Sequence, residues 1–229
     1  MGISLRLNMQ QNNFHFEALP PETKQALESF SEMPLFNTGG WYLAGGTALA
    51  LQIGHRKSVD LDFFTSEKEF DELKLERTLI NTDKWDTSSK DSGTIYGEYL
   101  HAKVSFIAYP FFTSSGKYAH FGTIKILTPE DIAVMKIIAI SQRCRKRDFV
   151  DLYWYVKNRE PLEEILQRVQ KHYPRKNLNM THFLKSLNFF AEAESDPMPT
   201  LLFDATWEEI KKYFQTEVPR ITKKMLNLE

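Results

Sequence analysis

The sequence has few of the features that mark secreted, disulfide-bonded or membrane proteins. Its 229 residues contain one cysteine, Cys144, which excludes an internal disulfide framework and fits a reducing compartment. The segment 1–13 is mixed and polar, unlike a signal peptide. No apolar run approaches the roughly 20 residues that a membrane-spanning helix needs. We therefore expect a cytoplasmic protein with no role at a membrane.

A strong net charge is also missing. Lysine and arginine number 29 against 30 acidic residues, a formal net charge of -1. No global field would draw the protein onto nucleic acid, so any basic surface must be local. A chain of this length buries roughly three-quarters of its unfolded surface, enough for a self-sufficient core. The length fits one large domain or two small ones.

Apolar periodicity predicts a mixed sheet with flanking helices in the first half of the chain. Strands are predicted over 41–44, 59–64, 94–96, 103–108 and 123–127, and helices over 22–32, 48–53 and 68–80. Gly54 is expected to end the second of these helices.

From Thr128 onward only helices are predicted. The segment 128–131 combines an N-cap hydroxyl, a proline and two acids, which predicts a helix from there to residue 143. Further helices are predicted over 149–157, over 162–172 and after a capping box at 206–209. The proline-containing loop 194–200 is expected to be the most flexible part of this half.

This order of elements predicts the fold class α+β. A mixed-sheet domain with flanking helices is expected over residues 1–127, followed by an all-helical domain over 128–229.

The segment WYLAGGTALALQIGHRKSVDLDFFT, residues 41–65, contains two motifs. The first is a strand followed by Gly45, Gly46 and Thr47, which we call the phosphate turn. Glycines let the backbone approach a phosphate, and the amides at a helix start point towards it. Thr47 is expected to add its hydroxyl as a donor. Taken alone, a glycine pair before a helix is more often only a turn.

The second motif is Asp60 and Asp62, which we call the acid pair. Strand side chains alternate between faces, so both carboxylates are expected on one face, with Val59, Leu61 and Phe63 packed on the other. Two like charges on a partly buried strand need a counter-charge, and Mg²⁺ binds carboxylates together with substrate phosphates. The alternative is a solvent-facing edge strand with two harmless acids.

Two basic residues, Arg56 and Lys57, precede the acid pair. They are expected either to neutralise the acids or to contact phosphate. The alternative is that both are solvated loop residues.

A third group of charged residues lies within residues 131–156. Lys136 interrupts an apolar stretch, so it either extends along the surface to solvent or faces a pocket. In a pocket it should serve function at a cost to stability, so replacing it should leave stability unchanged or raised. Asp148 and Asp151 are three apart on the next helix and share a face. The basic residues within 143–147 are mostly interpreted as a solvated turn.

In order and spacing these pieces resemble the AbiEii/AbiGii toxin family of nucleotidyltransferases, which are relatives of the minimal nucleotidyltransferases. The resemblance covers about half of the chain, residues 41–156. The matching strings are GGTALAL, HRKSVDLDFF, and the Lys136 helix followed by RDFVDL.

The resemblance implies transfer of a nucleotidyl group from a nucleoside triphosphate to an acceptor. It places Mg²⁺, or alternatively Mn²⁺, on the acid pair, and the β- and γ-phosphates on the phosphate turn with Arg56 nearby. Its conserved lysine falls on Lys136 and its last acidic motif on Asp148 and Asp151. The implied partners are the triphosphate, an RNA acceptor such as tRNA, and a cognate antitoxin.

Charge balance predicts a single cleft between the two halves. The phosphate turn and a metal do not fully surround a triphosphate, and Lys136 is the simplest cation to complete the opposite wall. Asp148 and Asp151 are expected to line that wall, where they orient Lys136 or act as a base for an acceptor hydroxyl. The alternative is that these two acids pair with Arg145 or Arg147 on the surface.

One departure from the wider fold concerns a third carboxylate. The strand expected to supply it has Ser105 instead, with Glu98 and Asp148 as weak substitutes. Two carboxylates leave a second metal poorly held. Two other functions therefore stay open: a degenerate, non-catalytic nucleotide- or partner-binding protein, and a metal-dependent phosphohydrolase.

Overall fold

The computed structural model describes residues 14–38, 40–174 and 177–225 of the chain. The polar segment 1–13, which lacks the pattern of a signal peptide, lies outside these residues. In the described part, no helix combines the length and apolar character needed to cross a membrane.

Seven strands form one mixed sheet, which confirms the predicted sheet type, although β3 and β6 were not among the five predicted strands. They are β1 (Tyr42–Ala44), β2 (Leu61–Thr65), β3 (Trp85–Asp91), β4 (Thr94–Tyr99), β5 (Ala102–Ala108), β6 (Tyr118–Phe121) and β7 (Ile124–Leu127). Their order across the sheet is β3-β4-β5-β2-β1-β7-β6. Strand β2 lies near the centre, antiparallel to β1 and parallel to β5.

Helices pack around this sheet and make up the second half of the chain. They are α1 (Pro21–Phe30), α2 (Leu35–Thr38), α3 (Gly45–Ile53), α4 (Glu72–Ile80), α5 (Pro129–Arg143), α6 (Lys146–Asn158), α7 (Leu162–His172), α8 (Met180–Leu187), α9 (Ala191–Glu194) and α10 (Trp207–Met225). Buried apolar side chains form one continuous core through both halves. The division into domains at residues 127 and 128 stays a prediction.

Local signals placed several helix ends correctly. The Asp131 amide donates to the Thr128 hydroxyl at the start of α5, and the helix ends at Arg143 as predicted. At the start of α10, Thr206 and Glu209 form the predicted reciprocal capping box. Gly54, with φ +64°, ends α3 in the left-handed conformation.

Other boundaries differ from the prediction. Helix α3 begins at Gly45 rather than at residue 48, so the glycine pair is part of its first turn. Helix α4 begins after Asp71, whose carboxylate caps it, rather than at residue 68. Helix α6 begins at Lys146, three residues before the predicted start.

The loop 194–200, which was expected to be the most flexible part of this half, is tied to other segments by hydrogen bonds. The Lys57 amide donates to the Thr200 carbonyl at 2.8 Å, and Leu201 forms an antiparallel bridge with Arg56. The Lys146 ammonium donates to the Asp196 carbonyl at 2.6 Å. Contacts distant in sequence therefore fix a segment whose local composition suggests mobility.

Candidate active site

A cleft of about 660 Å³ lies between the sheet and α5. The phosphate turn and the acid pair line it on the sheet side, and Lys136, Arg143 and Arg147 on the helical side. Arg56 and Ser58 also line it. The structure thus brings most of the sequence motifs to one cavity.

The acid pair projects from β2 and the residue before it. Leu61 and Phe63 are fully buried on the opposite face, as strand alternation requires. Val59 was expected to pack with them but is 49% exposed, because it precedes the strand. The expected separation of the two faces therefore holds within β2 only.

Asp62 is held by a neighbouring strand. Its register partner on β5 is Ser105, whose hydroxyl donates to the Asp62 Oδ1 at 2.6 Å. Burial and the nearby charge of Asp60 raise the pKa of Asp62 above its usual value, although the Ser105 hydrogen bond acts in the opposite direction. A carboxylate with a raised pKa in an anionic pair gains from a bound cation.

The donor set fits one divalent metal. A Cβ at Gly45, whose φ is +77°, would lie 3.0 Å from the Asp62 Oδ2, so the glycine keeps the space beside this oxygen open. Two carboxylates with water and phosphate oxygens suit Mg²⁺. In the described residues, no group of three histidine, cysteine or acidic side chains has the arrangement of a metal site.

Neither substitute for a third carboxylate reaches the acid pair. Glu98 lines the cleft on β4, and β5 lies between it and β2. Asp148 is fully buried, and its oxygens accept hydrogen bonds from Lys136 and Arg143. Ser105, a neutral hydroxyl, stands beside Asp62.

The phosphate turn lies under Arg56. A Cβ at Gly46 would come within 2.2 Å of the Arg56 Nη2, so only glycine lets this guanidinium cross the start of α3. The Thr47 hydroxyl is buried and donates to the Ser58 Oγ at 2.8 Å. Its expected donation to phosphate stays a prediction. Ser58, which sequence reasoning missed, keeps a proton to donate into the cleft.

Asp151 is the centre of a buried ion network behind the cleft. Its carboxylate accepts from the Arg56 Nε at 2.5 Å and from the His55 Nε2 at 2.7 Å, and lies 2.5 Å from the Lys136 Nζ. Burial alone would raise the pKa of Asp151, but Arg56, Lys136 and the His55 hydrogen bond hold it well below its usual range. Asp151 is therefore ionised at neutral pH.

Asp148 shares Lys136 with Asp151. It accepts from the Lys136 Nζ at 2.7 Å and from the Arg143 Nε at 2.8 Å. Burial opposes ionisation, but these two cations lower the pKa of Asp148 below its usual value. Three cations, Arg56, Lys136 and Arg143, thus meet two carboxylates, which leaves one positive charge beside the cleft.

The expectation that Asp148 and Asp151 line the cleft was wrong. Both side chains are fully buried, because their face of α6 packs against α5 and α3. With their oxygens occupied by cations, they cannot act as a base for an acceptor, whereas orienting Lys136 matches their contacts. The alternative of surface pairs was also wrong, because Arg145 pairs with Asp196 and Arg147 with Asp60.

Arg143 and Arg147 were interpreted as residues of a solvated turn, yet both line the cleft. Arg147 Nη1 lies 3.5 Å from the Asp60 Oδ2. The sequence did contain a signal for Arg143, which lies two helical turns after Lys136 and hence on the same face.

Known proteins resemble this chain along most of its length. The family model described as nucleotidyl transferase AbiEii toxin, type IV toxin–antitoxin system, matches residues 27–224. An uncharacterized protein of Aquifex aeolicus (strain VF5) is 34% identical over 204 residues, which cover 87% of this chain and 96% of that protein.

The solved structures that match this chain share less of its sequence. The nucleotidyltransferase toxin MenT4 of Mycobacterium tuberculosis H37Rv is 14% identical with a TM-score of 0.49, over 88% of this chain and 89% of that one. A provisionally assigned nucleotidyltransferase from H. pylori is 18% identical with a TM-score of 0.48, over 90% of this chain and 96% of that one.

Proposed function

The chain belongs to the AbiEii family of nucleotidyl transferase toxins, and we propose that it transfers a nucleotidyl group from a nucleoside triphosphate to an acceptor, aided by a divalent metal. One observation carries this proposal. Across a single cleft, the acid pair and the phosphate turn face a wall that contains Lys136, Arg143 and Arg147. Such a site has a place for a metal and counter-charges for a polyphosphate.

The phosphates bind where α3 begins. The amides of its first turn point towards an anion, and the side-chain-free Gly45 and Gly46 allow close approach. Arg56 and Ser58 add donors from the loop before β2, and Lys136 adds a fixed ammonium from α5. Because Asp148 and Asp151 hold Lys136, the cation is oriented before the substrate arrives.

Asp60 and Asp62 would hold the metal, with Ser105 fixing the orientation of Asp62. When bound, Mg²⁺ or Mn²⁺ supplies charge neutralisation at phosphate oxygens. The chain's own cations, Lys136 and Arg143, stabilise the negative charge that develops on the departing pyrophosphate. No side chain is assigned as a base, since the position beside Asp62 carries a hydroxyl.

The acceptor we propose is RNA, such as tRNA, and the partner a cognate antitoxin. The net charge of -1 argues against tight binding to RNA in general, so recognition should depend on the surface around the cleft. A cytoplasmic location remains a prediction.

The proposal is tested with the purified protein, each labelled triphosphate in turn, Mg²⁺ and total bacterial RNA. Labelled RNA that is absent with the Asp62→Ala variant is the expected result. Release of free monophosphate without labelled RNA would support a phosphohydrolase. Nucleotide binding without any turnover would support the degenerate protein that Ser105 suggests, and absence of both would reject a nucleotide function.

A further inference from the structure

The cleft changes character along its length. Asp60, Asp62 and Phe64 project from the same side of β2, so its floor turns from acidic to aromatic within one strand. Beyond the acids the lining is apolar and partly exposed. We call this part the aromatic end; it consists of Phe64, Ile107, Tyr109 and Met135.

The helical wall of the cleft changes from charged to apolar in the same direction. Arg143, at the last turn of α5, acts electrostatically on Asp62, and Arg147 approaches Asp60. The start of α5 lies towards the other end of β2, because Asp131 in its first turn acts electrostatically on Tyr42, the register partner of Phe64. Met135 occupies that earlier part of the helix and faces the cleft. Charged residues thus oppose charged residues, and apolar residues oppose apolar ones.

We propose that the aromatic end binds the base of the nucleoside triphosphate. This rests on the proposed function, which places the phosphates at the charged end. Two residues along a strand span about 6.6 Å, so Phe64 begins roughly one sugar's length beyond Asp62. A nucleotide with its phosphates at Lys136 therefore brings its base to Phe64 and Tyr109.

The two rings suit a planar heterocycle. The centroids of Phe64 and Tyr109 are 5.9 Å apart, with planes at 70°, so one ring can present a face and the other an edge to the same base. Ile107, the register partner of Phe64 on β5, continues the apolar floor. Tyr109 is fixed by its amide, which donates to the Thr65 carbonyl at 2.8 Å.

A control ring for the aromatic end lies on the other side of the cleft. Tyr96 on β4 is the register partner of Ser105, in a row that runs from Asp62 across β5. It is 44% exposed, and its neighbours in the lining include Glu98 and Lys103. This single ring lies among charges on the side of Asp62 away from the phosphate turn, which makes it a poorer site for the base.

The test measures, by titration calorimetry on the full chain, the affinity for a nucleoside triphosphate and for inorganic tripolyphosphate. Both titrations contain Mg²⁺ and no acceptor. The nucleotide should bind at least tenfold more tightly than tripolyphosphate. Tyr109→Ala should weaken nucleotide binding about tenfold, the range seen when a stacking ring is removed, and leave tripolyphosphate unchanged. Met135→Ala provides a second variant, and Tyr96→Ala should leave both ligands unchanged.

Different failures are distinguishable. Equal affinity for nucleotide and tripolyphosphate would overturn the inference while the phosphate site stands. So would nucleotide binding that depends on Tyr96 rather than on Tyr109 and Met135. If neither ligand binds the unaltered chain, the proposed function falls and the inference with it. Thermal unfolding of each variant separates loss of the site from loss of the fold.

Discussion

Lys136 and Asp151 form an almost fully buried ion pair at the wall of the cleft, with 2.5 Å between the Lys136 Nζ and the Asp151 Oδ2. Asp148 holds the same ammonium from its other side at 2.7 Å. A lone lysine in an apolar stretch would be expected to cost stability. Because it is paired with two buried carboxylates, Lys136 is instead expected to stabilise the fold.

Lys136→Ala should therefore lower the free energy of unfolding by about 3–5 kcal/mol, because two buried carboxylates lose their shared cation. Urea unfolding measures this, with Lys171→Ala, an exposed lysine of α7, as the control expected within about 0.5 kcal/mol of the unaltered chain. An unchanged midpoint and slope for Lys136→Ala would show that the network contributes little.

Gly46→Ala should displace Arg56 from Asp151, since the added Cβ would meet the Arg56 Nη2 at 2.2 Å. We expect a loss of about 1–3 kcal/mol in unfolding free energy and at least tenfold slower transfer. In a double-mutant cycle, Gly46→Ala should cost much less when Arg56 is already alanine. Purely additive losses would mean that the two residues do not interfere.

The buried His55 predicts a pH effect on stability. Burial lowers the pKa of His55 below its usual value, although Asp151 partly opposes this. The unfolded chain takes up a proton near pH 6.5, while the folded chain resists it. Stability is therefore complete above that pH and is lost as the pH falls from about 7 towards the lowered folded pKa.

His55→Asn keeps a donor for Asp151 and cannot titrate. The difference in unfolding free energy between the unaltered chain and this variant should shift in favour of the variant from pH 7 to pH 5, by at most about 1.4 kcal/mol per pH unit. Urea unfolding at both pH values measures the shift. A pH-independent difference would mean that folding leaves the pKa of His55 unchanged, and a shift in favour of the unaltered chain would mean that folding raises it.

Asp62→Asn should abolish nucleotidyl transfer, because it removes a carboxylate that would hold the metal. It should leave the fold intact, because burial and Asp60 already disfavour the charge of Asp62 and raise its pKa. Without metal the variant should be as stable as the unaltered chain or more stable. Mg²⁺ should raise the melting temperature of the unaltered chain and not of the variant. Glu98→Gln, another cleft carboxylate, is the matched control and should keep the metal response.

Two outcomes would contradict this assignment. If Asp62→Asn retains the metal-induced rise in melting temperature, the cation is bound elsewhere. If Glu98→Gln loses the rise as well, the metal site extends across β5 and includes a third carboxylate.

Much of the fold was encoded locally and could be predicted. The alternation within β2 placed Asp62 opposite Leu61 and Phe63, and the cap at Thr128 fixed the start of α5. Strand β3 could not be predicted in this way, because it is a polar edge strand recognised by its pairing with β4 rather than by an apolar pattern.

The site could be predicted only where its residues lie in one short segment of the sequence. The acid pair and the phosphate turn lie in one short segment, so their convergence followed from chain connectivity. The position of Asp151 depended on how α6 packs against α3 and α5, and spacing within α6 cannot reveal that. For the same reason Arg147, adjacent in sequence to the buried Asp148, was not recognised as a neighbour of Asp60.

The bridge between Arg56 and Leu201 joins two segments that leave the ribosome at different times. Arg56 holds Asp151 with its side chain while its backbone pairs with Leu201, which is far from it in sequence. On the ribosome these partners emerge long after the acid pair, and domains fold as their segments become available. A translation product that stops before residue 201 would therefore lack the backbone pairing that anchors the Arg56 segment beside the cleft.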